Sequence, residues 1–188
     1  LVRGEALLAI ALTEPRGGSD AGNLRLRVER QGEHYVINGE KTSISAADQA
    51  DATVVFGRTG TVESQAHGVT ALLVPMDLPG VTTSRFDCHG QRAIGRGSIF
   101  FENVRVPADC LLGEEGRGMY QMMSDLPYER AIIALCGVGA MEGALAETSR
   151  YVKERKAFGH PIGHMQNIRF KLAEVATITR IARVFIDD

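Results

Sequence analysis

Cysteine is scarce in this sequence, and nothing in its spacing would pair the three residues present. Cys88, Cys110 and Cys136 are odd in number and far apart, and no CxxC motif occurs. This pattern argues against a disulfide or zinc framework. It favours a reduced compartment, which is the cytoplasm, or the mitochondrial matrix if the source is eukaryotic.

Motifs for metals and for nucleotides are also missing. Of the five histidines only His160 and His164 lie close together. Pro161 and Gly163 between them keep the two rings off a common helical face, so we expect no metal site. Neither GxGxxG nor GxxxxGK followed by Ser or Thr occurs, which argues against a Rossmann site and against a P-loop.

The sequence has no strongly charged block and no long apolar run. Its 21 Lys and Arg residues against 23 Asp and Glu residues give a net charge of −2. Neither nucleic acid nor a membrane surface is therefore indicated as a partner. No uninterrupted stretch of about 18 apolar residues is present, and this predicts that no transmembrane helix is present.

What is present is a change in hydrophobic periodicity near residue 113. A chain of 188 residues with 44% apolar content makes one large domain or two small ones. Short strands separated by Gly and Pro turns predict a β-sandwich or barrel-like domain over residues 1–112. The helical period over residues 113–188 predicts the first helices of a helical-bundle domain, so the predicted fold class is α+β.

The expected elements can be given bounds. Strands are predicted at Leu7–Leu12, Leu24–Glu29, His34–Ile37, Ala52–Phe56, Gly68–Val74, Val81–Phe86 and Ser98–Phe101. Turns are predicted at Asn38-Gly39, Pro79-Gly80 and Val106-Pro107. After a linker at 113–118, helices are predicted at Met119–Glu154, with a kink at Pro127, and at Gln166–Ile186.

Both ends of the chain suggest a piece of a longer protein. Leu1 is not an initiator Met, and the helical pattern of the last segment is still running at Asp188. No Gly or Pro terminator follows it. We therefore expect flanking segments to be missing from this chain.

One carboxylate lies on a predicted buried stripe of the first helix. Steps of four and three residues place six residues on one face: Met122, Leu126, Glu129, Ile133, Cys136 and Ala140. Burial would raise the pKa of Glu129 and make it a candidate general base. Pairing with Arg130 would instead make it structural, and the stripe alone leaves both possibilities open.

The segment after the first predicted strand is a loop that contains two hydroxyls and two adjacent glycines. Residues 13–20 read TEPRGGSD. Backbone N–H groups in such a turn can form an anion nest, and the hydroxyls can bond a phosphate or the edge of a heterocycle. A Gly-Gly turn is more often only a turn, so this segment alone does not identify a site.

Five spaced motifs together resemble the acyl-CoA dehydrogenase family. They are LTEP…GSD at 12–20, YVINGEK at 35–41, VRVP at 104–107, LLGEEGRG at 111–118, and YVKERKAFG at 151–159 followed by Gln166. The first four are similar to the family's middle β-domain and the last to the start of its C-terminal helical domain. The resemblance covers essentially the whole chain. It implies that the N-terminal α-domain and the rest of the C-terminal domain are absent.

The resemblance implies an FAD flavoenzyme of fatty acid metabolism. Such an enzyme oxidises an acyl-CoA thioester to the α,β-enoyl-CoA. A carboxylate removes the α-proton while the β-hydride passes to the flavin, and the protein supplies position and a base. The implied partners are an electron-transfer flavoprotein, which takes the electrons, and further copies of the chain in a homodimer or homotetramer.

The same resemblance assigns roles to residues in the first half of the chain. Leu12 and Thr13 match positions against the flavin ring, and Ser19 matches a residue that touches the CoA thioester arm. The segment Ser43-Ile44-Ser45 matches a Trp-Ile-Thr segment beside the isoalloxazine.

Further roles fall in the helical half. Arg155, Phe158 and Gln166 match residues that reach the FAD of a neighbouring subunit. Glu129 falls where the helix-borne base occurs in the long-chain and isovaleryl-type branches, which agrees with its place on the stripe. Arg130 directly after it is a candidate substrate contact.

Two departures from the family pattern bear on the substrate. Arg16 stands where the family commonly has Gly, which alters the loop or adds a phosphate contact. Ser43 replaces the usual Trp, so one flavin face loses an aromatic cover. We therefore expect a pocket open to a bulkier acyl group.

Two other readings stay open. A same-fold flavin oxidase or monooxygenase would differ in letting O₂ reach the reduced flavin, although Glu129 argues against a monooxygenase, which needs no α-proton base. A truncated, non-catalytic fragment would act only in binding or assembly. Flavin binding separates this last reading from the others.

Overall fold

The computed structural model describes residues 3–188, and its internal contacts divide the chain into two units. The first unit is Leu1–Met123 and the second is Ser124–Asp188. The long helix α1, Gly118–Glu154, begins in the first and continues through the second. The domain boundary that we expect between residues 112 and 113 stays a prediction.

The first unit is a curled β-sheet that forms a half-barrel. Its strands are β1 (Leu8–Ala11), β2 (Arg27–Gln31), β3 (His34–Ser45), β4 (Ala52–Arg58), β5 (Val69–Pro75), β6 (Val81–Arg85) and β7 (Arg96–Pro107). Their order in the sheet is β1-β4-β2-β3-β7-β6, and β5 pairs with β4. The two contacts β1–β4 and β2–β4 are parallel, and the other strand pairs are antiparallel. The predicted barrel-like domain is confirmed.

The predicted turn at Asn38-Gly39 is wrong, because these residues lie inside β3. Val106-Pro107, which were also predicted as a turn, are the last two residues of the paired strand β7. The β3–β7 ladder shifts register between Ile37 and Gly39, and Asn38 Oδ1 accepts a hydrogen bond from the Asn103 N–H at 2.8 Å. Between the pairs Ile37–Val104 and Gly39–Phe101, β7 has one residue more than β3, so the β-bulge lies in β7 opposite Asn38-Gly39, and β3 continues through these two residues without reversing. Strand β3 thus extends eight residues beyond the predicted end at Ile37.

Strand β2 begins three residues later than predicted. Leu24 and Leu26 are buried as the alternating pattern requires, but they precede the strand. The backbone N–H groups of Arg25 and Leu26 donate to the Glu14 carboxylate instead of to a neighbouring strand. A side chain therefore replaces strand pairing at this point.

The main core lies on the inner face of the curled sheet. It is built from apolar side chains of β1, β3, β4, β5 and β7, including Ala11, Tyr35, Ile37, Val55, Leu72, Ile99 and Val106. Thr53 lies among them and is fully buried. Its Oγ1 is the buried side-chain oxygen or nitrogen that lacks a hydrogen-bond partner within residues 3–188.

We expect Thr53→Val to stabilise the protein. A buried hydroxyl without a partner carries a desolvation cost, and valine has nearly the same shape, so the gain should be about 1 kcal/mol. Urea denaturation of the variant and the parent measures it. Thr70→Val is the matched control, because Thr70 is equally buried but its Oγ1 bonds Thr59 Oγ1 and the Gly116 N–H. It should destabilise, and a loss of stability in both variants would contradict the expectation.

The linker before α1 is fixed to the sheet by specific hydrogen bonds. The buried Tyr35 donates its hydroxyl to Glu115 Oε2 at 3.0 Å, and the Gly116 N–H donates to Thr70 Oγ1 at 2.8 Å. Burial, reinforced by Glu115, raises the pKa of Tyr35. The Gln121 side chain donates to the Leu112 carbonyl at 2.8 Å, which fixes the first turn of the helix to the linker.

The second unit contains most of α1 and a second helix, α2, Gln166–Asp187. Between them lies a small hairpin of β8 (Lys156–Ala157) and β9 (His160–Pro161). The two helices are joined by an ion pair between Arg183 and Glu142 at 2.7 Å. Both predicted helices are confirmed to within one residue at each end, and α1 continues through Pro127.

The predicted burial of the α1 stripe is wrong for this chain. Met122 and Leu126 are half-buried, but Glu129, Ile133, Cys136 and Ala140 are exposed, Ile133 to 71%. No helix in the second unit covers this part of α1, because α2 meets α1 near Glu142 and not near Glu129. The apolar stripe is real in the sequence, but the described residues do not cover it.

Helix α1 is also long and apolar enough to cross a membrane, judged by length and composition alone. It is the one such helix among residues 3–188. The expectation of no transmembrane helix rested on the lack of an uninterrupted apolar run, and it stays a prediction. The core helix of a soluble protein passes the same test, so the finding is weak evidence for insertion.

Candidate functional site

Two segments far apart in sequence meet just beyond the end of β1, alongside β3, and we call this place the site edge. The first is Leu12–Thr13, directly after β1, and the second is Thr42–Ser43 within β3. The Thr42 N–H donates to the Thr13 carbonyl at 2.8 Å. The structure therefore brings together the two stretches whose motifs resemble flavin contacts.

A second β-bulge shapes the β3 side of the site edge. The β3–β7 register shifts again between Lys41 and Ile44, and Ser43 has a φ of +59°. This left-handed conformation is uncommon for a residue other than glycine. Ile44 is buried beyond the bulge, whereas Ser43 is half-exposed and Ser45 is exposed. The bulge turns the Ser43 backbone out of the ladder and makes it accessible.

The loop after Thr13 folds back on itself through a tight turn. Glu14 and Gly17 exchange backbone hydrogen bonds at 3.0 and 3.3 Å. A Cβ on Gly18 would lie 3.3 Å from the Thr13 side chain, so a larger residue there would press on Thr13. Ser19 is exposed on the loop, and Arg16 borders a cavity of about 180 Å³.

A buried ion pair lies directly behind Leu12, and sequence reasoning missed it. Lys41 Nζ is 2.9 Å from Glu14 Oε1 and donates to the Leu12 carbonyl at 2.8 Å. Lys41 is fully buried and Glu14 nearly so. Both residues stand inside motifs that carry the family resemblance. Lys41 also shares its strand parity with the inward-facing Tyr35 and Ile37, which was an available signal.

The two charges of this pair shift each other's titration. Burial lowers the pKa of Lys41 to about 8, against the opposing effect of Glu14. Burial by itself would raise the pKa of Glu14, but the Leu26 N–H and the Lys41 ammonium outweigh it and hold the pKa below its ordinary value. The pair is therefore ionised at neutral pH although it is buried.

The candidate base lies in the second unit. Glu129 and Arg130 are adjacent on α1, and both are exposed. The loop of residues 12–20 and the bulge at Ser43 belong to the first unit. The assignment of Glu129 and Arg130 as base and substrate contact stays a prediction.

A hairpin presents the other predicted cofactor residues. Phe158 and Gly159 form the two-residue turn between β8 and β9, with φ of +53° and +84°. Two positive φ values are typical of a type I′ turn, which favours Asn-Gly rather than a bulky side chain. Phe158 is 92% exposed. Arg155, just before the hairpin, and Gln166, at the first position of α2, are exposed as well.

Comparison with protein families gives two adjacent matches. Residues 9–104 match the model for the acyl-CoA dehydrogenase middle domain. Residues 116–187 match the model for the acyl-CoA dehydrogenase C-terminal domain. The chain belongs to the acyl-CoA dehydrogenase family. Members of this family are FAD-dependent flavoprotein oxidoreductases of fatty acid metabolism, and a homotetramer is typical of them.

Acyl-CoA dehydrogenases similar to this chain occur in animals and bacteria. The chain is 39% identical over 189 residues to a "Long-chain specific acyl-CoA dehydrogenase, mitochondrial" of Mus musculus, covering all of this chain and 44% of the relative. It is 42% identical over 187 residues to a "Probable acyl-CoA dehydrogenase" of Bacillus subtilis (strain 168), covering 99% of this chain and 49% of the relative. The chain thus spans about half the length of these relatives.

A solved acyl-CoA dehydrogenase structure from Geobacillus kaustophilus has the same fold. It superimposes with a TM-score of 0.96 at 38% identity, covering 99% of this chain and 50% of that one. The α+β prediction, a curled β-domain followed by helices, is therefore confirmed.

Proposed function

We propose that this chain contributes to the FAD-dependent α,β-dehydrogenation of an acyl-CoA thioester to enoyl-CoA. The observation that carries the proposal is the hydrogen bond from the Thr42 N–H to the Thr13 carbonyl. It joins the two segments, Leu12–Thr13 and Ser43–Ser45, whose motifs resemble flavin contacts. Each segment alone is a short, common pattern, and the contact between the two segments is what supports a shared binding site.

The residues at the site edge fit a flavin. A planar heterocycle with carbonyl and N–H edges needs backbone and hydroxyl partners that are not used within the fold. The bulge supplies accessible backbone at Ser43, and Thr13 and Ser45 supply hydroxyls at the surface. Ile44 is buried behind them and gives the site edge a rigid base. We assign Leu12, Thr13, Ser43, Ile44 and Ser45 to FAD contacts.

Bound FAD would accept the hydride that leaves the β-carbon of the substrate. The chain's own residues have the other tasks. Glu129 takes the proton from the α-carbon, a role for which a carboxylate supplies the accepting oxygen. Ser19 contacts the thioester arm from the exposed end of its loop, and the Arg130 guanidinium binds the anionic part of the substrate.

The exposed hairpin supports a role across a subunit boundary. Phe158 holds a backbone conformation that is unfavourable for an aromatic residue and is almost fully exposed. Strain of this kind persists where a side chain has a partner to meet. We assign Arg155, Phe158 and Gln166 to the FAD of a neighbouring copy in a homodimer or homotetramer. A monomeric mass in light scattering of the FAD-loaded protein would contradict this.

The remaining parts of the proposal concern partners, compartment and acyl chain. Electrons pass from the reduced flavin to an electron-transfer flavoprotein, in the cytoplasm or in the mitochondrial matrix. Failure of such a flavoprotein to reoxidise the substrate-reduced protein without O₂ would contradict this. Ser43, in place of an aromatic, and the position of Glu129 favour a long, branched or cyclic acyl group.

The experiment that tests the function is the visible spectrum of the protein before and after anaerobic addition of acyl-CoA thioesters. We expect a yellow protein whose 450 nm flavin band bleaches with one class of thioester. Admission of O₂ then separates a dehydrogenase, which reoxidises slowly, from an oxidase, which reoxidises at once. A colourless protein after incubation with FAD would show that the chain by itself acts only in binding or assembly.

A further inference from the structure

The buried ion pair of Glu14 and Lys41 joins three separate stretches of backbone. Lys41, in β3, donates to the Leu12 carbonyl at the end of β1. Glu14, in the loop, accepts from the backbone N–H groups of Arg25 and Leu26 before β2. The 2.9 Å contact between the two side chains ties these stretches together at one point.

This arrangement fixes the direction of the Leu12–Thr13 peptide. The peptide is trans, so its C=O and N–H point in opposite directions. Because the Leu12 carbonyl points inward to Lys41 Nζ, the Thr13 N–H points away from the pair. Thr13 lies beyond the end of β1, and no oxygen atom of residues 3–188 accepts a hydrogen bond from its N–H.

A half-buried N–H without an acceptor is costly unless a ligand supplies one. The N–H of the neighbouring Thr42, in contrast, is satisfied by the Thr13 carbonyl. The free donor at Thr13 therefore lies between two fixed carbonyls, one held by Lys41 and one held by Thr42. An acceptor on a bound heterocycle would complete the site.

We propose that the Glu14–Lys41 pair is a positioning device that holds the Thr13 N–H outward as a preformed hydrogen-bond donor for the bound flavin. This inference rests on the proposed function, because it takes FAD as the ligand at the site edge. Because the donor is already fixed, no conformational entropy is lost in ordering it when the ligand binds. Neither Glu14 nor Lys41 is accessible to a ligand, so both act through the Leu12–Thr13 peptide.

A purely structural pair would have a different signature. Replacing both buried charges by neutral side chains commonly restores the stability that either single replacement loses. If the pair only stabilises the fold, flavin affinity should recover together with stability. If the pair positions the donor, affinity should stay low in the stable double variant.

The test measures FAD dissociation constants by quenching of flavin fluorescence, with melting temperatures from circular dichroism, for four proteins. They are the parent, Lys41→Met, Glu14→Gln/Lys41→Met, and Val104→Ala as a control. Val104 is a fully buried core residue of β7 that pairs with Ile37 in the β3–β7 ladder, whereas Lys41 pairs with Ile99. We expect the double variant to melt closer to the parent than Lys41→Met does. Its FAD affinity should still be about tenfold weaker, the scale of one lost hydrogen bond.

Val104→Ala should lower the melting temperature and leave the FAD dissociation constant within about twofold of the parent. Equal affinity in the parent and the double variant would overturn the positioning role. Equal loss of affinity in Lys41→Met and Val104→Ala would also overturn it, because the loss of FAD affinity would then follow the loss of stability.

If Lys41→Met does not fold, Glu14→Asp replaces it in the test. This variant keeps both charges and shortens one side chain, so it should show the same loss of FAD affinity to a smaller degree. A parent protein that binds no FAD would instead refute the proposed function.

Discussion

Glu129→Gln should leave FAD bound and remove reduction of the flavin by substrate. The replacement keeps the size of the side chain and removes the proton acceptor. Loss of a positioned general base costs about 10² to 10⁴ in rate. Anaerobic mixing of the variant with the best acyl-CoA, followed at the flavin absorption band, measures the rate of bleaching. We expect that rate to fall by at least about 10² while the yellow colour of the protein is retained.

Asp125→Asn is the matched control for this variant. Asp125 lies one turn earlier on α1 and is also exposed, and its replacement removes the same charge from the same helix. It should reduce the bleaching rate by less than a few fold. If Glu129→Gln bleaches at the parent rate, the assignment of the base is wrong. If both variants are equally slow, the effect comes from the charge of the helix and not from proton removal.

Secondary structure follows most directly from the sequence where one physical pattern acts alone. The two helices were predicted to within one residue at each end, since a 3.6-residue period runs through each. Turn residues were less reliable. Asn38-Gly39 and Val106-Pro107 have the composition of turns, yet the first continues strand β3 opposite a bulge in β7 and the second ends the paired strand β7. A local signal cannot show whether the chain reverses, because that depends on the register with β7.

Burial was the property that the sequence predicted least well. The spacing of Glu129 with Ile133 and Cys136 indicates a buried face, but burial also requires a partner surface, which the described residues do not supply. The opposite error occurred at Lys41 and Glu14. Charged residues are expected at the surface, so neither was considered for the core. Only the fold shows that Leu26, Arg25 and Leu12 offer each charge a polar partner.

Breaking the Glu14–Lys41 pair at one side should be the largest single loss of stability available in the first unit. A buried charge left without its partner costs about 3 to 5 kcal/mol. Glu14→Gln should lie at the upper end, because it leaves the Lys41 ammonium with only the Leu12 carbonyl. Lys41→Met should cost less, since Glu14 keeps the N–H groups of Arg25 and Leu26. Urea denaturation at pH 7 measures both losses.

The pH dependence of stability gives the same pair a second signature. The folded pKa of Glu14 is below its ordinary value of 4.5, so the unfolded chain binds the proton more readily. Glu14 therefore contributes stability above the ordinary value, and that contribution is lost as the pH falls through the folded pKa. Lys41 gives the same sign in a different pH range. Its folded pKa of about 8 is below its ordinary 10.5, so its contribution should rise between these values.

We therefore expect the free energy of unfolding of Glu14→Gln to depend less on pH below about 5 than that of the parent. In Lys41→Met, the increase of the unfolding free energy between about pH 8 and 10 should be lost. Tyr35→Phe is the control, because it removes a buried hydrogen bond to Glu115 without removing either charge of the pair. Below about pH 5, its free energy of unfolding should change with pH in parallel with that of the parent. If the unfolding free energies of Glu14→Gln and the parent change in parallel at acid pH, Glu14 has an ordinary pKa in the fold. The pair would then contribute to packing but not through its charge.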